Sequence, residues 1–210
     1  MSAYADAAAT IREEHHALSV LMQLLQRLLT DIENRHAEPD FALLATALYY
    51  IDDFPERCHH PKEDAYLFDA LRRRTAEFNA VLDELQADHV RSRQMMDYME
   101  RGLVHYQAGA RDGLARFKKA VDAYALMLRE HMESEERLIE HARACLAEED
   151  WTPIAKAFAA NDDPLFGAAC REDGNSVPVR NHLPSCHGRA ATKPHATMQK
   201  PENWKPEDSN

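Results

Sequence analysis

The stretch LARFKKAVDAYALMLREHMESEERLIEHARAC (114–145) places Leu114, Phe117, Val121, Tyr124, Leu128, His131, Glu135, Leu138, Ala142 and Cys145 on one helical stripe, stepping alternately by three and four residues. Such a stripe is the buried seam of an antiparallel helical bundle. A histidine and a glutamate interrupt it, and polar groups there are costly unless a partner satisfies them. Working outward, three further stretches carry a similar stripe. Ile11, His15, Leu18, Met22, Leu25, Leu29 and Ile32 form one, and Phe78, Leu82, Leu85, His89, Ser92, Met96, Met99 and Leu103 form another. Leu44, Leu48, Ile51, His59, Glu63, Leu67 and Leu71 form a less regular third. The expected fold is all-α, an antiparallel up-down-up-down four-helix bundle. Four imidazoles and two carboxylates then converge on one core, and the common partner they call for is metal.

The segments between these stripes are short and polar. Asn34 to Asp40 ends with Asp40 placed as an N-cap, Arg74-Thr75-Ala76 separates the second stripe from the third, and Gly109 to Gly113 separates the third from the fourth. Connections this short force neighbouring helices to run antiparallel. Thr152-Pro153 reads as an N-cap followed by proline in the first turn, starting a short fifth helix through about Ala160. Beyond Asn161 prolines crowd in and apolar residues thin out, so the segment has little burial to offset its ordering entropy. Residues 1–160 are therefore expected as one bundle domain and 161–210 as an irregular tail. His182, Cys186, His187 and His195 in that tail fit no closed four-ligand zinc pattern.

A net charge of −11 leaves no basic surface for nucleic acid or an anionic membrane, so neither is expected as a partner. The basic run Arg72-Arg73-Arg74 falls at an expected helix end, where cations favour the dipole. No apolar run approaches the roughly 18 residues of a membrane span. Met1 to Asp6 lacks the basic start and apolar middle of a signal peptide, and Cys58, Cys145, Cys170 and Cys186 offer neither a disulfide framework nor a CxxC pair. A cytoplasmic location is the expectation.

Two pairs carry the chemistry: His59-x-x-x-Glu63 and His131-x-x-x-Glu135. Residues four apart share a helix face within about 6 Å, so each pair can reach one metal, or its carboxylate can bridge to a second. With His15 and His89 on the other two helices, the pairs make a two-metal site. Imidazole and carboxylate without thiolate suit iron or manganese better than structural zinc. His16, His60 and Glu136 stand about 100° around the helix from these residues and are expected at the surface or supporting it. Pro61, between His59 and Glu63, is expected to disturb the helix and so aim Glu63. Tyr124 lies two turns before His131 on the same face.

Arg12-Glu13-Glu14-His15, His59-His60-Pro61-Lys62-Glu63-Asp64, Asp88-His89 and His131-Met132-Glu133-Ser134-Glu135-Glu136, in this order over about residues 5–147, resemble the hemerythrin-like proteins with the HHE cation-binding domain. The resemblance implies a non-haem di-iron centre with two irons per chain. Glu63 and Glu135 would bridge them with a solvent-derived oxo or hydroxo group, and His15, His59, His89 and His131 would be terminal ligands. Oxygen carriers of that family place two histidines four apart on the third helix, whereas here His89 plus four is Arg93, which has no lone pair to offer. Their last helix carries an aspartate five beyond its histidine, where this chain has Glu135 four beyond. The pattern is closer to iron-centre repair and bacterial stress proteins, which carry a further histidine soon after the first helix. His36 occupies such a place and is a further candidate ligand, able to replace the nitrogen missing at position 93. The expected function is binding of, or reaction with, O2, NO or peroxide in sensing, detoxification or iron handling under oxidative or nitrosative stress. A metal-binding or sensor protein is favoured over a dedicated enzyme.

Two alternatives make different demands. A ferritin-like di-iron oxidase or peroxidase needs Glu-x-x-His pairs at its centre, and Glu13-x-x-His16 and Glu56-x-x-His59 are the available ones. A metal-free interaction bundle predicts that His15, His89 and His131 can become leucine with a gain in stability.

Overall fold

The computed structural model describes residues 2–35, 37–161 and 163. His36 lies outside them, as does the segment expected as a tail, apart from Asn161 and Asp163. Helix α1 runs Ala3–Arg35 and α2 runs Phe41–Asp53, with the Asp40 carboxylate accepting the Leu43 N–H at 3.0 Å as its expected cap. The chain continues through a π-helical turn π1 (Pro55–His59), a short α3 (His60–Lys62), a second π-helical turn π2 (Glu63–Phe68) and α4 (Asp69–Arg74). Helices α5 (Asn79–Gln107), α6 (Gly113–Cys145) and α7 (Glu148–Ala159) follow. There is no strand among the described residues, and no helix is long and apolar enough to cross a membrane.

Two apolar clusters flank a polar layer, and the order in which each helix meets them alternates. Along α1 the chain passes Ala7 and Ile11 of one cluster, then His15, then Leu18 and Met22 of the other. Along π1–π2 the order reverses, from Phe54 and Cys58 through His59 and Glu63 to Leu67 and Phe68. It reverses again in α5 (Leu82 and Leu85, His89, then Met96 and Met99) and again in α6 (Tyr124 and Leu128, His131 and Glu135, then Leu138 and Ala142). Contacts run from α1 to α6, from α6 to α5, from α5 to α2 and from α2 back to α1. The seam residues are apolar above and below the polar layer, so burial on both sides encloses it.

The fifth helix departs from expectation at its start. It begins at Glu148 rather than near Thr152, because the Asp150 carboxylate accepts the Ala147 N–H at 2.9 Å and three acidic residues fill its first turn. Thr152 donates its hydroxyl to the Glu148 carbonyl instead of capping. Trp151, Ile154 and Phe158 are buried, and α7 packs mainly on α1. Cys58 is disulfide-bonded although the cysteine spacing suggested no such framework, and Cys145 is free.

The turn into α6 needs a glycine. A Cβ on Gly113 would stand 2.6 Å from Tyr106 Cα and 2.9 Å from its backbone nitrogen, so the turn itself would have to move. Gly113→Ala is expected to destabilise the chain by about 1–3 kcal/mol, read as a lower urea midpoint at unchanged slope.

Candidate metal centre

Pro61 has no N–H, so the α-helical ladder cannot run unbroken through position 61. The turn ahead of it widens: the His59 N–H bonds the Phe54 carbonyl at 3.0 Å, and the His60 N–H bonds that of Pro55. These are five-residue spans. In such a turn successive side chains diverge by less than the about 100° of an α-helix. Both His59 and His60 therefore point inward, 1% and 2% exposed. The expectation that His60 points away from the centre fails here, because it assumed regular α geometry. His16, on the uninterrupted α1, is exposed as expected.

The six residues expected from the seam, His15, His59, Glu63, His89, His131 and Glu135, are all buried and come together. Together with His60 they form two groups, and within each the nearest ligand atoms all lie within 4.8 Å of one another. One group is His15, His59, Glu63 and Glu135; the other is His60, Glu63, His89 and His131. Glu63 belongs to both. Its Oε1 faces His59 Nε2 at 2.5 Å and its Oε2 faces His89 Nε2 at 3.2 Å. Glu135 Oε2 lies 3.2 Å from His15 Nε2. His15 Nε2 and His59 Nε2 approach to 3.2 Å, and His89 Nε2 and His131 Nε2 to 3.3 Å. The His60 ring stacks on His89 with centroids 4.3 Å apart.

Each imidazole also meets a carboxylate on its outer edge, and these acids follow a rule. Glu14 on α1 accepts from His59 Nδ1 at 2.6 Å, and Asp64 on π2 accepts from His89 Nδ1 at 3.2 Å. Asp88 on α5 stands 3.7 Å from His131 Nδ1, and Glu136 on α6 accepts from His15 Nδ1 at 3.3 Å. Each helical stretch thus braces the histidine of the next, and the last braces the first. A carboxylate on Nδ1 fixes the tautomer and leaves the Nε2 lone pair facing inward. His60 has its own support: Glu56 Oε2 lies 3.5 Å from its Nδ1. Ser92 donates to Glu56 Oε1, and Tyr124 does so at 3.2 Å. Tyr124 therefore reaches the centre through Glu56 rather than directly. Arg93 Nε also points at Glu56, 3.8 Å from its Oε2.

Burial and charge set the protonation pattern of the ligand-free chain. Burial opposes ionisation of Glu63, but the charge on His59 and the close approach of His15, His59 and His89 outweigh it and hold the carboxyl well below its usual range. Burial, reinforced by the Glu63 charge, raises Glu135 to about 7. Burial also disfavours charged imidazoles, yet Glu63 and Glu14 lift His59 to about 10, and Asp64 and Glu63 lift His89 to about 9. Burial pushes His131 down to about 2, with His89, His60 and His15 adding to the push.

These groups fit a pair of cations. Both oxygens of Glu63 and both of Glu135 are buried without a hydrogen bond, as is His131 Nδ1. Paired Nε2 atoms converge with carboxylate oxygens, a donor set of nitrogen and oxygen that suits iron or manganese. The ferritin-like arrangement lacks its second pair here, because Glu13 and His16 are both exposed on α1. With this geometry the class is defined, and the hemerythrin HHE cation-binding domain matches residues 6–142. The chain belongs to that family. No curated protein and no solved structure gives a significant match to it.

Proposed function

We propose that this chain is a dinuclear non-haem iron protein, built as an up-down-up-down four-helix bundle. It binds or reacts with O2, NO or peroxide in sensing, detoxification or iron handling under oxidative or nitrosative stress. The observation that carries the reading is Glu63, shared by two buried groups of four ligand atoms. The alternating order of the apolar clusters supports the antiparallel topology. In this reading His15, His59 and Glu135 hold the first ion, His60, His89 and His131 hold the second, and Glu63 bridges; Glu135, which the resemblance implied as a second bridge, belongs to the first group only.

His60 offers the further nitrogen for which His36 was a candidate. It supplies the second ion with a third nitrogen where Arg93 cannot, leaving Arg93 to pair with Glu56. When bound, two irons supply reversible redox and coordination of small ligands. The chain's own contribution is to hold the four facing Nε2 atoms as acceptors, to keep Glu63 ionised, and to exclude bulk water by apolar packing on either side. Glu135, near pH 7 in its titration, can hold a proton at a carboxylate oxygen until a cation displaces it.

Access favours small ligands. A cleft of about 250 Å³, lined by Arg12, His15, His16, Arg129, Met132 and Glu136 among others, opens on the outer edge of His15. That is below the roughly 300–1,000 Å³ of pockets for drug-sized molecules. A larger groove of about 450 Å³ between α5 and α6 shares no lining residue with the centre.

The test is metal analysis of chain loaded anaerobically with ferrous iron, followed by visible spectra in air, after dithionite and after nitric oxide. Two irons per chain, with a visible band that bleaches on reduction and a distinct nitrosyl spectrum, are expected. Zinc alone, or no metal after loading, overturns the reading in favour of a metal-free bundle.

A further inference from the structure

Of the four acids that brace the histidine ring, Glu14 alone is deeply enclosed. Its side chain is 7% exposed, against 31% for Asp64, 22% for Asp88 and 42% for Glu136. What encloses it comes from outside the bundle. The Asn161 amide donates to both Glu14 oxygens, at 2.8 Å to Oε1 and 3.1 Å to Oε2. The Asn161 carbonyl oxygen in turn accepts from the Lys62 ammonium. Lys62 offers only donors and an ionised Glu14 only acceptors, so the amide has a single orientation that satisfies both. The result is a directed chain from Lys62 through Asn161 and Glu14 to His59 Nδ1.

The backbone places this amide firmly. The Asn161 N–H bonds the Phe158 carbonyl at 2.8 Å as α7 ends. The Phe158 ring, fully buried, meets His59 edge-on with centroids 5.7 Å apart. Two residues further on, the buried Asp163 carboxylate accepts the Tyr50 hydroxyl at 3.0 Å, tying this exit to α2. The same short segment thus packs on His59 and holds the acid that orients it.

We infer that Asn161, nineteen residues beyond the end of the family match at 142, is a positioning residue for the first ion, acting through Glu14 on His59. The inference rests on the dinuclear reading above. It extends the metal centre past the HHE domain: α7 and its last turn belong to the site's support, and only one of the two ions depends on them. Glu14 held at both oxygens cannot swing away from His59, so the imidazole keeps its Nδ1–H outward and its Nε2 inward. The second ion leans on Asp64, Asp88 and Glu56, which among the described residues make no hydrogen bond to α7 or Asn161.

The decisive variant is Asn161→Asp in the full chain, which keeps the shape and turns the donor facing Glu14 into an acceptor. The probe is ferrous iron added anaerobically and competed with a chelator. Loss of a bracing hydrogen bond lowers metal affinity by about 10–100-fold. That loss is expected for one ion only, with the other held as in the unchanged chain and the melting temperature of the metal-free form preserved. Asn161→Ser should act in the same direction, as should Lys62→Met, which frees the amide to rotate. Two ions held with unaltered affinities, or both weakened equally alongside a lower metal-free melting temperature, would overturn the inference. If the unchanged chain takes up no iron, the dinuclear reading itself falls; two irons in the unchanged chain and in Asn161→Asp alike remove only the role of Asn161.

Discussion

Replacing Glu63 should empty both halves of the centre at once. In chain loaded anaerobically with ferrous iron and freed of excess, metal content is expected to fall from about two ions to near zero in Glu63→Ala, because no other carboxylate belongs to both ligand groups. The alanine variant carries a folding penalty as well. Glu63 is the common counter-charge of His15, His59 and His89, and removing one partner of a buried ion pair typically costs about 3–5 kcal/mol. Glu63→Gln separates the two effects, since it keeps the volume and loses only the charge and one acceptor. A folded Glu63→Gln protein that still holds two irons would contradict the bridging assignment. His60→Ala provides the contrast: it leaves His15, His59, Glu63 and Glu135 untouched, so one ion is expected to remain and one to weaken.

Metal uptake is expected to release protons, and this is the second large effect. In the metal-free chain His59 titrates near 10, His89 near 9 and Glu135 near 7. All three hold protons at pH 6, as does His15, which against the lowering by burial Glu135 lifts well above its usual value, and all four must lose them to ligate. Apparent affinity should therefore rise with pH, by about tenfold per unit for each proton displaced. The dependence is steepest below pH 7 and flattens as Glu135, His89 and His59 lose their protons in turn. The same shifts fix the stability of the metal-free form. Each folded value lies above its unfolded one, so the stabilisation is present at low pH and is lost as pH rises through 7, 9 and 10. Bound metal replaces those protons, and at a thousandfold excess over its dissociation constant each ion adds about 4 kcal/mol. Chelation should thus lower the melting temperature far more at pH 8.5 than at pH 6. Titration calorimetry in buffers of different ionisation enthalpy counts the protons directly, and a binding heat independent of buffer would refute the scheme.

The part of this centre visible in the sequence is the part that obeys helical periodicity. His15, His89, His131 and Glu135 sit at seam positions of uninterrupted helices, and the structure brings them together with His59 and Glu63. His60 escaped because Pro61 replaces an α turn by a π turn, and no count in steps of three and four can foresee which residue then swings inward. The signal was the proline beside two histidines, which pointed to disturbed geometry but not to its direction. The bracing acids other than Glu136 escaped for a different reason. Glu14, Asp64, Asp88 and Glu136 each stand next to an inner ligand, at Glu14-His15, Glu63-Asp64, Asp88-His89 and Glu135-Glu136. Each points off the seam of its own helix toward the histidine of another, a relation between helices that periodicity within one helix does not contain. The early start of α7 has a local signal in Glu148-Glu149-Asp150, which competes with Thr152-Pro153 as a helix start. Asn161 had none: an asparagine at a helix end reads as an ordinary stop.

The ring of braces has a consequence for how the fold can fail. Because every helical stretch both supplies an inner ligand and steadies its neighbour's, deleting any one of them disarms at least two histidines, its own and the next. No sub-assembly of two stretches contains a complete coordination sphere, and no sub-assembly of three contains both. A tightly held pair of metals is then a certificate that the whole bundle has closed, and a protease or chaperone that meets the chain before that moment meets it without the full pair.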